Sequence, residues 1–139
     1  MVYGVEAVTL NIVPPALKLL LIIKHLNGLG TAWSIHRVVH WLQERGIDIG
    51  YTFATFSHGP YSRELEQDLG LLKMLGLISY MEDVVNNSRL YRLVLTKRGM
   101  KIAESVEAMD PETTSKVRKI LSAIIRDLRS KFENRVDRE

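Results

Sequence analysis

The chain has 139 residues, of which 46% are hydrophobic and 25% charged, a composition typical of a folded domain and not of a disordered segment. It contains no cysteine, which excludes a disulfide framework, a zinc–thiolate site, an iron–sulfur cluster and thiol catalysis. The net charge of +3 lies entirely in residues 112–139, and a surplus of this size permits contact with nucleic acid without requiring it.

Neither a membrane span nor a secretion signal is evident in the sequence. The longest apolar run, Leu19–Ile23, is far shorter than the roughly 20 residues that cross a bilayer. The N-terminus carries Glu6 and has no basic stretch before its apolar residues, unlike a secretion signal. We therefore expect a cytoplasmic protein with no membrane partner.

Three regions follow from the apolar pattern: an N-terminal arm over 1–14, a compact domain over 15–109 and a terminal helix over 110–139. Apolar and polar side chains alternate in the arm, which predicts a short strand. The apolar members of that alternation are Val8, Leu10 and Ile12. Further elements are predicted, in chain order, as helices over 15–27, 32–45 and 63–75, an extended segment over 49–56, strands over 77–82 and 89–95, a helix after Thr96 and a last helix over 112–136.

Short polar residues precede the predicted helices and are suited to accept hydrogen bonds from the first free amides. These predicted N-caps are Thr31, Ser62, Thr96 and Asp110. The first helix is different because its residues are apolar on nearly every face, and such a helix must be covered on all sides. One small domain rarely encloses a helix completely, so we expect a partner chain to cover part of it, with Leu20 among the contacts.

Three helices, a two-stranded hairpin and a further helix follow one another in the order of a winged helix-turn-helix. The sequence resembles winged-helix regulators over roughly residues 16–109, and its Gly-Pro-Tyr-Ser element is similar to that of the phage- and antitoxin-associated Panacea group. The overall plan is similar to the PadR and multiple-antibiotic-resistance repressors. The residues that support the resemblance are Gly59-Pro60-Tyr61-Ser62, Leu65, Asp68-Leu69, Leu72, Leu75-Gly76-Leu77-Ile78, Tyr91-Arg92-Leu93, Leu95-Thr96 and Gly99.

The resemblance implies a mainly α (α+β) fold and a dimeric, DNA-binding transcriptional regulator, with the third helix in the major groove and the hairpin on the DNA backbone. With Leu65 facing the core, Arg63, Gln67 and Gly70 lie on the outer face of that helix. Arginine can bind guanine, glutamine can bind adenine, and a glycine lets the backbone approach closely. The predicted DNA-contacting residues are Ser62, Arg63, Gln67, Gly70, Lys73, Asn87, Arg89 and Arg92.

A second function is left open by the acidic side chains of the third helix. Glu64, Glu66 and Asp68 lie in its first two turns, near the position where DNA phosphates would run. The alternative is a winged-helix module, antitoxin-like or an adaptor, that binds a protein and not DNA. In that case the acidic helix and an exposed aromatic segment would contact the protein partner. The aromatic residues are Tyr51, Phe53 and Phe56.

One apolar stripe runs along the predicted terminal helix, which at 1.5 Å per residue would be roughly 37 Å long. A small core cannot cover a helix of that length, so we expect two copies to pair as a homodimer. The alternative is that the helix folds back onto the first helix of its own chain. The predicted dimer contacts are Leu20, Val117, Leu121, Ile124, Leu128 and Phe132.

Metal binding and catalysis are not favoured by the sequence. His36, His40 and Glu44 are spaced one helical turn apart, as metal ligands can be, but the zinc-protease HExxH pattern is missing and no third ligand is evident. There is no nucleophile elbow, phosphate-binding glycine loop or pair of catalytic carboxylates. We therefore expect that the protein is not an enzyme and has no metal or cofactor.

Overall fold

A computed structural model describes the backbone of residues 13–32 and 34–138 and, apart from Val85, the side chains up to Arg126. The described part is a mixture of helices and antiparallel hairpins, which confirms the predicted α+β class. The elements are α1 (Pro15–Leu26), α2 (Ser34–Glu44), β1 (Ala54–Phe56), β2 (Gly59–Tyr61), α3 (Arg63–Met74), β3 (Ile78–Val85), β4 (Ser88–Leu95), α4 (Lys97–Met109) and α5 (Pro111–Arg138). The strand predicted at Val8, Leu10 and Ile12 lies outside the described residues.

Helix α1 is the centre of the core. It packs against α3, α4, α5 and β4, and its residues Leu19–Ile23 are all buried. Leu20, predicted to contact a partner chain, is 0% exposed in the single chain, so the structure assigns it to the core. The elements that cover α1 are α3, β4, α4 and α5, all of which follow α2 in the chain. Within the described residues, no helix has the length and apolar character needed to cross a bilayer.

Three of the helices begin at the N-caps predicted for them. The Ser62 hydroxyl accepts a hydrogen bond from the Leu65 amide at 3.2 Å. Thr96 Oγ1 accepts from the Gly99 amide at 3.0 Å, and Asp110 Oδ1 accepts from the Thr113 amide at 3.1 Å. The caps therefore fix where α3, α4 and α5 start.

Strands β3 and β4 form a regular antiparallel hairpin from the Ile78–Leu95 pair to the Val85–Ser88 pair. Asn86 and Asn87 form its two-residue turn with φ of 52° and 66°, a conformation that asparagine tolerates better than most residues and that suits a tight hairpin. The hairpin is also tied to the loop after α1, because the Leu93 amide donates to the Gly30 carbonyl at 2.8 Å.

Two residues lock the base of this hairpin to the start of α4. The Thr96 hydroxyl, which caps α4, also donates to the Gly76 carbonyl at 2.6 Å. Gly99 packs directly against the backbone of Leu77. A Cβ on residue 99 would stand only 1.9 Å from the Leu77 carbonyl oxygen. Only glycine permits so close an approach. The junction explains why threonine and glycine occur at these two positions.

The connection between α2 and α3 is longer than a simple turn and contains the small β1–β2 hairpin. Gln43 fastens its first half, because its side-chain oxygen accepts from the Tyr51 amide at 2.8 Å and its side-chain nitrogen donates to the Tyr51 carbonyl at 2.8 Å. The Tyr51 hydroxyl donates to Asp68 at 2.6 Å. Tyr51 is only 7% exposed, so it does not belong to an exposed aromatic surface, whereas Phe56 is 50% exposed.

Helix α5 folds back onto α1 of the same chain, which is the alternative considered for it. Val117 and Leu121, both predicted at a dimer interface, are buried inside the single chain, and Leu121 is 0% exposed. Ile124 is partly exposed and packs at the edge of the core. Leu128 and Phe132 lie outside the residues whose side chains are described.

A single cluster of charged side chains links α1, α4 and α5. Glu107 pairs with Lys24, and its carboxylate also lies 3.4 Å from His25 Nε2 and 3.5 Å from Arg118. Burial lowers the pKa of His25, and the attraction of Glu107 does not fully offset that effect. Burial acts to raise the pKa of Glu107, but the hydrogen bond and charge of Lys24, together with His25, hold it below its ordinary value.

These shifts predict that acid destabilises the fold. Because the pKa of His25 is lowered, the unfolded chain binds a proton from about pH 6.5 downward while the folded chain resists it. The free energy of unfolding should therefore be highest above pH 6.5 and fall below it, with a further loss below the ordinary pKa of Glu107, 4.5. Urea unfolding of the parent and of His25→Gln at pH 7.5 and 5.5 measures this. An equal fall in both proteins would contradict the role of His25.

Candidate nucleic-acid interface

The outer face of α3 carries the side chains that its helical spacing predicts. Arg63, Gln67 and Lys73 are exposed. Gly70 is also exposed, and a Cβ at that position would meet no atom within 4 Å. Met74 is 76% exposed at the end of the same face. The surface is therefore open along the whole helix.

Ser62 differs from the other predicted contact residues of α3. It is 0% exposed, because its hydroxyl caps the helix and its amide donates to Nδ1 of His36 at 3.1 Å. A buried side chain cannot touch a ligand directly, so the structure gives Ser62 a positioning role. Its position sets the direction in which Arg63 leaves the core.

His36, which lies on α2, also holds the start of α3 in place. Its Nδ1 accepts from the Ser62 amide, so the neutral ring carries its proton on Nε2, which lies 2.8 Å from Glu66 Oε2. The ring also stacks on Tyr61, with centroids 4.6 Å apart. Sequence spacing gave no signal of this arrangement, because the three partners of His36 lie in a distant segment.

The three carboxylates of α3 all have partners within the fold. Glu66 binds His36, Glu64 accepts from the Ser62 hydroxyl at 3.0 Å, and Asp68 accepts from Tyr51. These contacts give a structural reason for acidic residues near the start of α3. Their charges remain beside the outer face and reduce its attraction for DNA phosphates.

The hairpin presents fewer free cations than its sequence suggests. Arg92 pairs with Asp83 at 2.5 Å and donates from Nη1 to the Gly28 carbonyl at 3.2 Å, so its guanidinium is directed at the loop after α1. Arg89 is paired with Glu82 at 3.3 Å, yet its side chain is 74% exposed. Asn87 is exposed at the tip. Of the two predicted hairpin cations, Arg89 is therefore the more accessible to a ligand.

Apolar side chains extend the outer surface of α3 toward its C-terminal end. Leu65, Leu69 and Leu72 are buried as predicted. Leu75, which the sequence pattern placed in the same stripe, is exposed and lies just after the last residue of α3. Together with Leu71 and Met74 it forms an apolar patch. This patch was not predicted from the sequence.

A cavity of about 190 Å³ lies beside the N-terminus of α3. Its lining residues are Thr31, Ser34, His36, Arg37, His58, Pro60 and Tyr61. They come from separate segments, so no local motif predicts the cavity. His40, the other member of the spacing considered for a metal, packs edge-on against Phe53. The described residues contain no group of three His, Asp or Glu side chains able to hold a metal ion.

Comparisons of the chain with protein-family models, with curated proteins and with solved structures find no match. The likeness to winged-helix regulators therefore rests on the sequence pattern and on the order of the elements.

Proposed function

We propose that the protein is a winged-helix transcriptional regulator that binds duplex DNA, with α3 in the major groove and the β3–β4 hairpin along the backbone. The observation that carries the proposal is the row of Arg63, Gln67 and Gly70, exposed on a helix whose start is fixed to the core. The order of α1, α2, α3, hairpin and α4 supports it, since a winged helix-turn-helix has the same order.

The spacing of the two polar residues suits base recognition. Arg63 and Gln67 are four residues apart, which corresponds to roughly 6 Å along the helix. Successive base pairs are about 3.4 Å apart, so the two side chains would reach bases about two steps apart. Gly70, one turn further, has no side chain to hold the helix away from the groove.

A homodimer is part of this proposal. The described α5 side chains end near Ile124 and Ile125, which are only partly buried. The sequence continues their apolar stripe with Leu128 and Phe132. A second copy covering this end of α5 would present two α3 helices to successive turns of the duplex, as dimeric helix-turn-helix proteins do.

Gln67→Ala should change which base is preferred at one position, by about 1–3 kcal/mol, because it removes the amide that can bind adenine. Selection from a random duplex library at fixed salt measures the preference. Arg45→Ala, which alters an exposed arginine at the far end of α2, is the control and should leave the selected sequence unchanged. A parent protein that binds no duplex at low salt would contradict the proposal.

The alternative is a module that binds a protein, and the apolar patch of Leu71, Met74 and Leu75 favours it. Met74→Lys separates the two functions without disturbing the fold, since Met74 is largely exposed. For DNA binding the added cation should strengthen binding to random duplex. If the protein instead binds a protein partner, Met74→Lys should not increase the affinity for DNA. A lysine substitution at Glu66 would be a less suitable test, because it would also break the hydrogen bond between Glu66 and His36.

A further inference from the structure

The cavity beside α3 has room for a chemical group much smaller than a whole nucleotide. Its volume is about 190 Å³, below the roughly 300–1,000 Å³ of sites for drug-sized molecules. Arg37 and Ser34 from α2 form one wall, and Pro60 and Tyr61 from β2 form another. A molecule of a few non-hydrogen atoms would touch both walls.

The charge of the lining favours an anion. Arg37 supplies a positive charge to the cavity, and the described lining residues include no carboxylate. His36 is not counted as a cation, because its Nδ1 accepts from the Ser62 amide. Arg37 makes no ion pair with any described residue; its Nη2 donates to the His58 carbonyl at 3.4 Å, a long bond that leaves most of its N–H groups available. Gly59 allows this placement, since a Cβ there would lie 3.2 Å from Nη2.

Hydroxyl groups complete the polar lining. Thr31 and Ser34 cap one another: the Ser34 amide donates to Thr31 Oγ1 at 3.0 Å, and the Thr31 amide donates to Ser34 Oγ at 2.7 Å. These amides are therefore already bonded and do not make up the site. The Thr31 hydroxyl accepts in this pair and still has its own proton to donate.

We infer that this cavity binds a small oxyanion, a phosphate or a carboxylate, with the Arg37 guanidinium as its main partner and the Thr31 hydroxyl as a second donor. A planar guanidinium binds such groups with two parallel hydrogen bonds. His36 and Tyr61 line the cavity and also hold the start of α3. An anion bound there regulates the position of α3, and this consequence rests on the proposed function.

Inorganic phosphate is the first probe, added to the isotope-labelled full-length chain at constant ionic strength while amide chemical shifts are recorded. We expect saturable shifts at Ser34, Arg37 and Tyr61. Arg37→Ala should weaken phosphate binding by about tenfold or more, since it removes a charge-assisted bidentate contact. Arg45→Ala removes the same charge outside the cavity and should change the affinity less than about twofold, as expected of an exposed charge. Shifts that do not saturate, or equal losses in both variants, would overturn the site.

Duplex DNA distinguishes the two sources of the anion. If the natural occupant is a DNA backbone phosphate, inorganic phosphate should weaken duplex binding in proportion to its concentration, and more in the parent than in Arg37→Ala. If the occupant is a free anion, its effect on duplex affinity should reach a plateau once the cavity is full. Both results support the site. Saturable phosphate binding by a chain that binds no duplex would contradict the proposed function and leave the site in place.

Discussion

Gly99→Ala should destabilise the chain by about 3 kcal/mol or more, the largest effect that we expect from adding a single methyl group. The new Cβ would stand 1.9 Å from the Leu77 carbonyl oxygen and 2.9 Å from the Leu77 carbonyl carbon. Both are backbone atoms, so the contact can be relieved only by moving α4 away from the base of the hairpin. Urea unfolding followed by circular dichroism measures the change in the free energy of unfolding.

Gly70→Ala provides the matched control for this substitution. Gly70 lies inside α3, and a Cβ there meets no atom within 4 Å. Alanine has the higher helix propensity, so the variant should be more stable than the parent by about 0.5–1 kcal/mol. A Gly99→Ala variant that is as stable as Gly70→Ala would mean that α4 does not approach the chain at Leu77 as described.

Leu121→Ala should cost about 2–5 kcal/mol, the range for truncating a buried leucine. Leu121 is completely buried by its own chain, where α5 packs on α1. The loss should therefore be independent of protein concentration, whereas a residue at a dimer interface gives a loss that depends on it. Unfolding measured over a hundredfold range of concentration tests this.

Ser122→Ala is the neighbouring control, because Ser122 is exposed on the same helix. Its effect on the free energy of unfolding should stay within about 0.5 kcal/mol. A loss for Leu121→Ala that vanishes at high protein concentration would place this residue between chains after all.

Local signals in the sequence predicted the helices well. Ser62, Thr96 and Asp110 each precede a helix and cap it, because a cap requires only a short polar side chain next to the first turn. The first hairpin strand was predicted to end at residue 82, three residues before the end of β3, since the exposed Val84 near the turn does not alternate with buried neighbours. The second strand was predicted to begin only one residue late, at residue 89. Structural features that depend on a few neighbouring residues, such as helix caps, could therefore be predicted from the sequence.

Contacts between distant segments were not predictable in the same way. Arg92 was expected to touch phosphates, but it pairs with Asp83 and the Gly28 carbonyl, which only the folded chain brings near it. Leu121 was expected between chains because a stripe of apolar residues does not reveal which helix will cover it. The outer face of α3 was predictable, whereas the cavity behind Tyr61 was not.

Because later elements bury α1, its apolar residues remain uncovered during part of synthesis. This apolar helix is synthesised before β4, α4 and α5, which help to cover it. The bond from Leu93 to Gly30 can form only after β4 is made, and such long-range contacts form late in folding. Until then the nascent chain exposes Leu19–Ile23, a surface that favours aggregation. The folding chain therefore depends on β4, α4 and α5, or on a chaperone, to protect α1.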